Sequence, residues 1–418
     1  MVAIPTAAAV AAALAWAAVG MPGWASEEPA QQKPSPAATS TPPVACDQQD
    51  NGGKGWYQPI YVHREGAGSA DAVKSIRHIM WSTDQIFEAS AKRFGQGDSR
   101  RLRFVQDKDC QIEVMSVAVE GLPSKPSFVQ TRMKAEKAVQ AEMRKASAEA
   151  KKRFKRTRPV YFYDTSPRGC GVATTPSKTS RSGLFKGRAA VSWNCATVPA
   201  VSHEMVHQFG VNHCDNKKDQ GGDPICRGRD RTPRCGDLMA NIVLDCAKDE
   251  FSYFNPRPEA GSQLAKWPKE NVANSPYLIK NQPAPALEMR LAGQRGGLCL
   301  TAGKEAKVVQ QDCATGDEQV WSRSIDKEGY LTLTQKSTGK CLTVPQGKGG
   351  AAAELADCKP GDERQQWWMP SGRGNQADVY KLVSSATRKA AGVDGGSEGA
   401  SLIGSGGKST GFRIQLTK

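Results

Sequence analysis

Three of the five histidines in this chain fall within one short run, His203-Glu204-Met205-Val206-His207-Gln208-Phe209-Gly210-Val211-Asn212-His213. The run reads H-E-x-x-H-x-x-G-x-x-H. On a helix, His203 and His207 sit one turn apart on the same face, so both imidazoles can reach one ion. Gly210 can take a positive φ without a Cβ clash, which lets the chain leave the helix sharply and bring His213 back as a third ligand. Three protein ligands leave the fourth position of a Zn2+ ion to water, the arrangement of a catalytic rather than a structural zinc. Glu204, next to His203, is aimed at that water and can act as its general base. The bland alternative is a pair of surface histidines on an ordinary helix, and it leaves the clustering unexplained.

The run resembles the metzincin clan of zinc metalloproteases and matches that pattern at every fixed position. The clan also carries a methionine in a tight turn beneath the zinc, and Met239, in Cys235-Gly236-Asp237-Leu238-Met239-Ala240-Asn241, is the residue that fills this role by resemblance. Cys214 follows the third histidine, where the best-known families of the clan carry other residues. The resemblance implies a secreted zinc-dependent endopeptidase. Its substrate would be held extended along the strand Ala189–Trp193 as a sheet edge, with specificity set near Ala240 and Asn241. A zinc protease with a distant glutamate as third ligand is the runner-up among enzymes, and Gly210 and His213 argue against it. The rival from another class is a lectin-like carbohydrate-binding protein carrying an inactive or latent metalloprotease domain.

A helix bearing two ligands needs a sheet behind it. Pro59–His63 reads as a first strand, and Ser69 as the cap of a helix whose buried stripe is Val73, Ile76, Met80, Thr83, Phe87, Ala91 and Phe94. Arg101–Val105 and Gln111–Val119 follow as strands, then Pro159–Tyr163, and Ala189–Trp193 as the last strand before the zinc helix. Residues 46–268 are therefore expected to form an α+β, metzincin-like catalytic domain. Cys46 to Leu122 supplies strands that back the zinc helix and belongs to the enzyme; Cys46 is more simply a disulfide partner, for example of Cys110, than an inhibitory thiolate.

At 418 residues the chain has room for two domains. Residues 1–25, with an apolar run Ala7–Val19 and a small-x-small site Gly23-Trp24-Ala25, resemble a secretory signal peptide, and residues 26–45 read as a flexible linker. Twelve cysteines without a C-x-x-C pair fit an exported, disulfide-bonded protein. No segment reads as a membrane span, and a monomer is expected. Much of the net charge of +15 lies between Lys125 and Arg158, where Val129, Met133, Val139, Met143, Ala146, Ala150 and Phe154 recur at helical spacing. This is a solvated amphipathic helix, with adhesion to an anionic cell-wall polymer or attraction of acidic substrates as the alternative. No nucleic-acid motif accompanies it. Cys214, Cys226, Cys235 and Cys246 must staple a polar loop whose Asp215, Asp219 and Asp223 leave room for Ca2+, though no motif supports it.

After a Pro-rich stretch, residues 269–286, the chain repeats itself. Leu298-Cys299-Leu300-Thr301 recurs as Lys340-Cys341-Leu342-Thr343, and Gln319-Val320-Trp321 as Gln365-Gln366-Trp367. Residues 287–418 resemble the ricin B-type lectin β-trefoil with its Q-x-W repeats. The resemblance implies disulfides Cys299–Cys313 and Cys341–Cys358, core roles for Trp321 and Trp367, backbone-bracing roles for Gln319 and Gln365, and carbohydrate binding for targeting. Galactose-binding members carry an aspartate two residues after the first cysteine; Thr301, Thr343 and Gly392 stand there, so weak galactoside binding is expected. The third copy is degraded, with Ala390-Ala391 for Cys-Leu and Thr410-Gly411-Phe412 for Q-x-W. The Pro-rich joint implies that the trefoil folds independently.

Overall fold

In the computed structural model, the residues described are 41–46, 55–165, 167–174, 187–213, 225, 243–246, 252–268, 270–345, 350–393, 395–404 and 409–417. The signal-peptide region, Cys214, Cys226, Cys235, Met239, Ala240, Asn241 and the aspartates at 215, 219 and 223 lie outside them, as does most of the 26–45 stretch.

The N-terminal part is mixed α/β. Strands β1 (Trp56–Arg64), β3 (Met115–Val119), β4 (Thr157–Tyr163), β5 (Gly171–Thr174) and β6 (Arg188–Ser192) form one sheet in the order β3-β1-β4-β6-β5. All pairings are parallel except β5 with β6, which is antiparallel. Buried on both faces, β1 and β4 carry near-continuous apolar runs, as parallel strands between helical layers do. Tyr61, Val160, Phe162 and Val191 face α1 (Ala70–Lys92) and α4 (Val198–Gln208). Ile60, Val62, Val117 and Tyr163 face α2 (Phe128–Lys145) and α3 (Ala148–Phe154).

Ser69 starts α1, accepting a hydrogen bond from the Ala72 amide, and Ile76, Ile79, Met80 and Phe87 are fully buried along it. The basic segment is two helices. Ala146 turns extended, with ψ 159°, and Ser147 caps a new start. The buried face of the segment is the expected one at Val139 and Phe154 but not at its start. Thr131, Ala135 and Val139 point inward, whereas Val129 and Met133 are 54% and 63% exposed. Phe128 sets this register by packing its ring 5.7 Å from that of Tyr163.

Two expectations for strands are corrected. Ala189–Trp193 is not a sheet edge, because β6 lies between β4 and β5; the edge is β5, a short strand that the sequence presents as loop. The expected strand Arg101–Val105 divides: β2 (Arg100–Leu102) pairs with β7 (Leu278–Lys280), while residues 103–105 return to β1, the Tyr57 amide donating to Arg103 O and the Val105 amide to Tyr57 O. Residues expected to be a linker therefore contribute a strand and Tyr277, whose ring packs 5.7 Å from Tyr57.

The C-terminal part is all β. β8 (Leu287–Gly293) pairs with β9 (Cys299–Ala302), β11 (Trp321–Ile325) and β20 (Phe412–Leu416). β12 (Leu331–Gln335) carries the second repeat through β13 (Cys341–Thr343), β14 (Glu354–Ala356) and β15 (Trp367–Trp368). Trp321 and Trp367 are fully buried at its centre.

The two parts share one buried seam, and residues 38–418 form one compact unit. A single apolar cluster runs from Ile79, Met80 and Trp81 of α1 to Leu331, Leu333 and Trp367 of the trefoil. The His78 ring bonds Tyr380 Oη at 2.9 Å, Lys74 pairs with Asp378 at 3.4 Å, and the Gly374 amide donates to Ala196 O at 3.3 Å. The Pro-rich segment is thus no loose joint: burying these side chains makes each part a wall of the other.

Candidate metal centre

Helix α4 starts at Thr197, whose hydroxyl accepts from the Ala200 amide, and Pro199 occupies its first turn, where no intrahelical N–H bond is lost. Val201, Met205 and Val206 anchor it to the core. At its far end Gln208 donates to Pro159 O at 2.8 Å and Gly187 O at 3.0 Å, tying the helix to β4 and to the approach to β6. These contacts fix the opposite face, which carries His203 and His207.

Gly210 has φ +99°, and a Cβ there would meet no atom within 4 Å, so glycine is required by backbone angle rather than by space. The turn returns His213 to the helix. The three imidazole Nε2 atoms then lie 3.2 Å (His203–His207), 3.1 Å (His207–His213) and 3.1 Å (His203–His213) apart. Two nitrogens bound at about 2.0–2.1 Å to one tetrahedral Zn2+ are themselves about 3.3 Å apart. The donor set therefore fits such an ion. These three form the one group of potential metal ligands found among the described residues. The Nδ1 of His207 lies 2.7 Å from Val211 O, a bond that places the proton on Nδ1 and leaves Nε2 as the donor to a metal.

Glu204, on the same helix, is buried against the edge strand. A Cβ on Gly171 would approach its Oε1 to 2.4 Å, so β5 reaches the carboxylate only because residue 171 is glycine. The disulfide Cys170–Cys195 and the bond from the Ser192 amide to Cys170 O, 2.8 Å, hold that strand in place. Strand β5, Gly171 and the Val211 carbonyl escape the sequence reading, although a glycine beside a cysteine ahead of the histidine run was available as a signal. Cys46 is bonded to Cys110 and so offers no thiolate to the site.

The trefoil residues form a second set. Gln319 Nε2 donates to Thr301 Oγ1 and Asp312 O, while its Oε1 accepts from the Ala314 amide. Gln365 repeats this with Thr343 Oγ1, Asp357 O and the Lys359 amide. Trp321 and Trp367 donate their indole N–H to Leu300 O and Leu342 O. Cys299–Cys313 and Cys341–Cys358 are bonded. The hydroxyls of Thr301 and Thr343 also donate to the carbonyls of Cys299 and Cys341, so both are engaged and buried.

Residues 287–401 match the ricin-type β-trefoil lectin domain family. No curated protein matches the chain. Among solved structures, the designed three-fold symmetric protein ThreeFoil is 27% identical over 30% of this chain and 96% of its own, with a TM-score of 0.27. A GlcNAcα1-4Gal-releasing endo-β-galactosidase from Clostridium perfringens is 16% identical over 32% of this chain and 33% of its own, with a TM-score of 0.28. A Macrolepiota procera ricin B-like lectin in complex with lactose is 14% identical over 30% and 93%, with a TM-score of 0.26.

Proposed function

We propose that the chain is an exported zinc endopeptidase of metzincin type, targeted to glycan-bearing or surface-bound substrates by its ricin-type lectin domain. The observation that carries the enzymatic half is the 3.1–3.2 Å triangle of Nε2 atoms on His203, His207 and His213, with Glu204 on the same helix. A zinc ion held there supplies Lewis-acid polarisation of water and of the scissile carbonyl. Glu204 accepts a proton from the attacking water as the C–O bond forms, and delivers it to the departing nitrogen as the C–N bond breaks. Strand β5 pairs only with β6 among the described residues, and its outer edge offers backbone donors and acceptors to an extended peptide.

The lectin half rests on the family match at residues 287–401 and the two intact Q-x-W braces. With Thr301 and Thr343 engaged in those braces, neither is available to a galactose hydroxyl, and simple galactosides should bind weakly. The purified protein should contain about one zinc and lose peptidase activity reversibly to o-phenanthroline. Full peptidase activity in metal-stripped protein would sink the reading.

A further inference from the structure

A cavity of about 290 Å³ opens between α1, the first turn of α4 and strands β11, β12 and β15 of the trefoil. Trp81, Ile86, Trp367, Trp368 and Met369 give it apolar walls. One charged side chain lines it, Arg323. The guanidinium lies 4.6 Å over the Trp81 ring and donates to Gln85 Oε1. No carboxylate pairs with it among the described residues. Burial and the Arg101 charge pull its pKa down to about 10, against the opposing influence of Tyr380, Asp84 and Glu88, which still leaves it a cation at neutral pH.

A cation among aromatic and aliphatic walls, with Asp84 and Glu88 near enough to feel but no carboxylate in direct contact, is a costly arrangement that a bound anion relieves. The positive end of α4 borders the same space through Thr197 and Val198, and adds to the attraction. One guanidinium can neutralise one carboxylate, while the remaining volume is apolar. A cavity of about 150 Å³ takes benzene, so this one has room for roughly twice that bulk. We infer that the seam between α4 and the trefoil is a binding site for a small monocarboxylate with an apolar body, its carboxylate on Arg323 and its hydrocarbon between Trp81, Trp367 and Trp368.

Octanoate and octanol test this on the full chain, by calorimetry and by tryptophan fluorescence, with and without o-phenanthroline. Octanoate should bind and change the tryptophan emission, at least about tenfold more tightly than octanol, whether or not the chelator is present. Arg323→Met should remove that preference and leave octanol binding within about twofold. Equal affinity for acid and alcohol, or no binding to the wild-type chain because a segment of the protein itself fills the space, overturns the assignment. So does octanoate binding that disappears on chelation and survives Arg323→Met, since that places the ligand on the histidines. If Arg323→Met does not fold, the acid–alcohol difference in the wild-type chain decides the matter.

Discussion

At the scale of single residues, the proposed site divides labour between ligands and base, and the division is measurable. His213 closes the Nε2 triangle, so His213→Ala should lose the metal. Glu204→Ala should keep it and lose activity by at least about a hundredfold, because general-base catalysis typically contributes that much. Equal zinc content in the two variants, read by atomic absorption, would show that the roles are not separate. Gly171 gives a subtler test. An added methyl would stand 2.4 Å from Glu204 Oε1 and 3.0 Å from its Cδ, so carboxylate or strand must move. Gly171→Ala should bind zinc normally while kcat falls, and an unchanged kcat would mean that Glu204 shifts without consequence.

Helix α1 joins the two parts of the protein through its buried polar residues. Asp84 accepts from Arg101 Nε at 2.7 Å and from the Leu102 amide at 2.7 Å, and both side chains of the pair are buried. Asp84→Asn leaves a buried guanidinium without its counter-charge and should destabilise by about 3–5 kcal/mol in a denaturant titration. His78, wholly buried beside Tyr380, is held at about 4 by burial, against an ordinary value near 6.5, with Asp378 raising it and Lys74 lowering it. Between those values the unfolded chain binds a proton that the folded chain refuses. Stability must therefore fall as pH drops through this window, by up to about 3 kcal/mol from this group alone. His78→Gln removes the titration, so its unfolding midpoint should fall less steeply between pH 6.5 and 4 than that of the wild type. Parallel profiles would remove His78 from the acid sensitivity of the seam.

For the whole molecule, the seam decides what can be cut. Deleting residues 287–418 would bare Trp81 and His78 of α1 and leave Lys74 without Asp378. The truncated chain should melt at a lower temperature or aggregate, and its peptide cleavage should fall with the loss of folded protein. A truncation that keeps both the melting temperature and the cleavage rate would show that the trefoil is an appendage after all. The exposed Val129 and Met133 on α2 belong to the same scale: the charge between Lys125 and Arg158 surrounds a helix face directed to solvent.

The histidine run was legible in the sequence because a helical turn spaces positions i and i+4 by local geometry alone, and Gly210 marks the exit by its backbone freedom. The Q-x-W repeats and their cysteine pairs were legible because repetition states which residues are equivalent before any contact is known. β1, α1 and β4 were written in long apolar patterns with a capping Ser69. Tertiary structure decided the rest. β5, four residues without alternation, becomes the sheet edge only because β6 is there to pair with it and Cys195 to hold it. The face that α2 buries follows from Phe128 meeting Tyr163 on the sheet face that α2 covers, a contact that helical spacing does not encode. Residues 278–280 read as a joint because pairing with Arg100–Leu102 is a long-range event. The seam, with Arg323 over Trp81, exists only once two separately legible parts are pressed together, since burial is a property of neighbours and not of a segment.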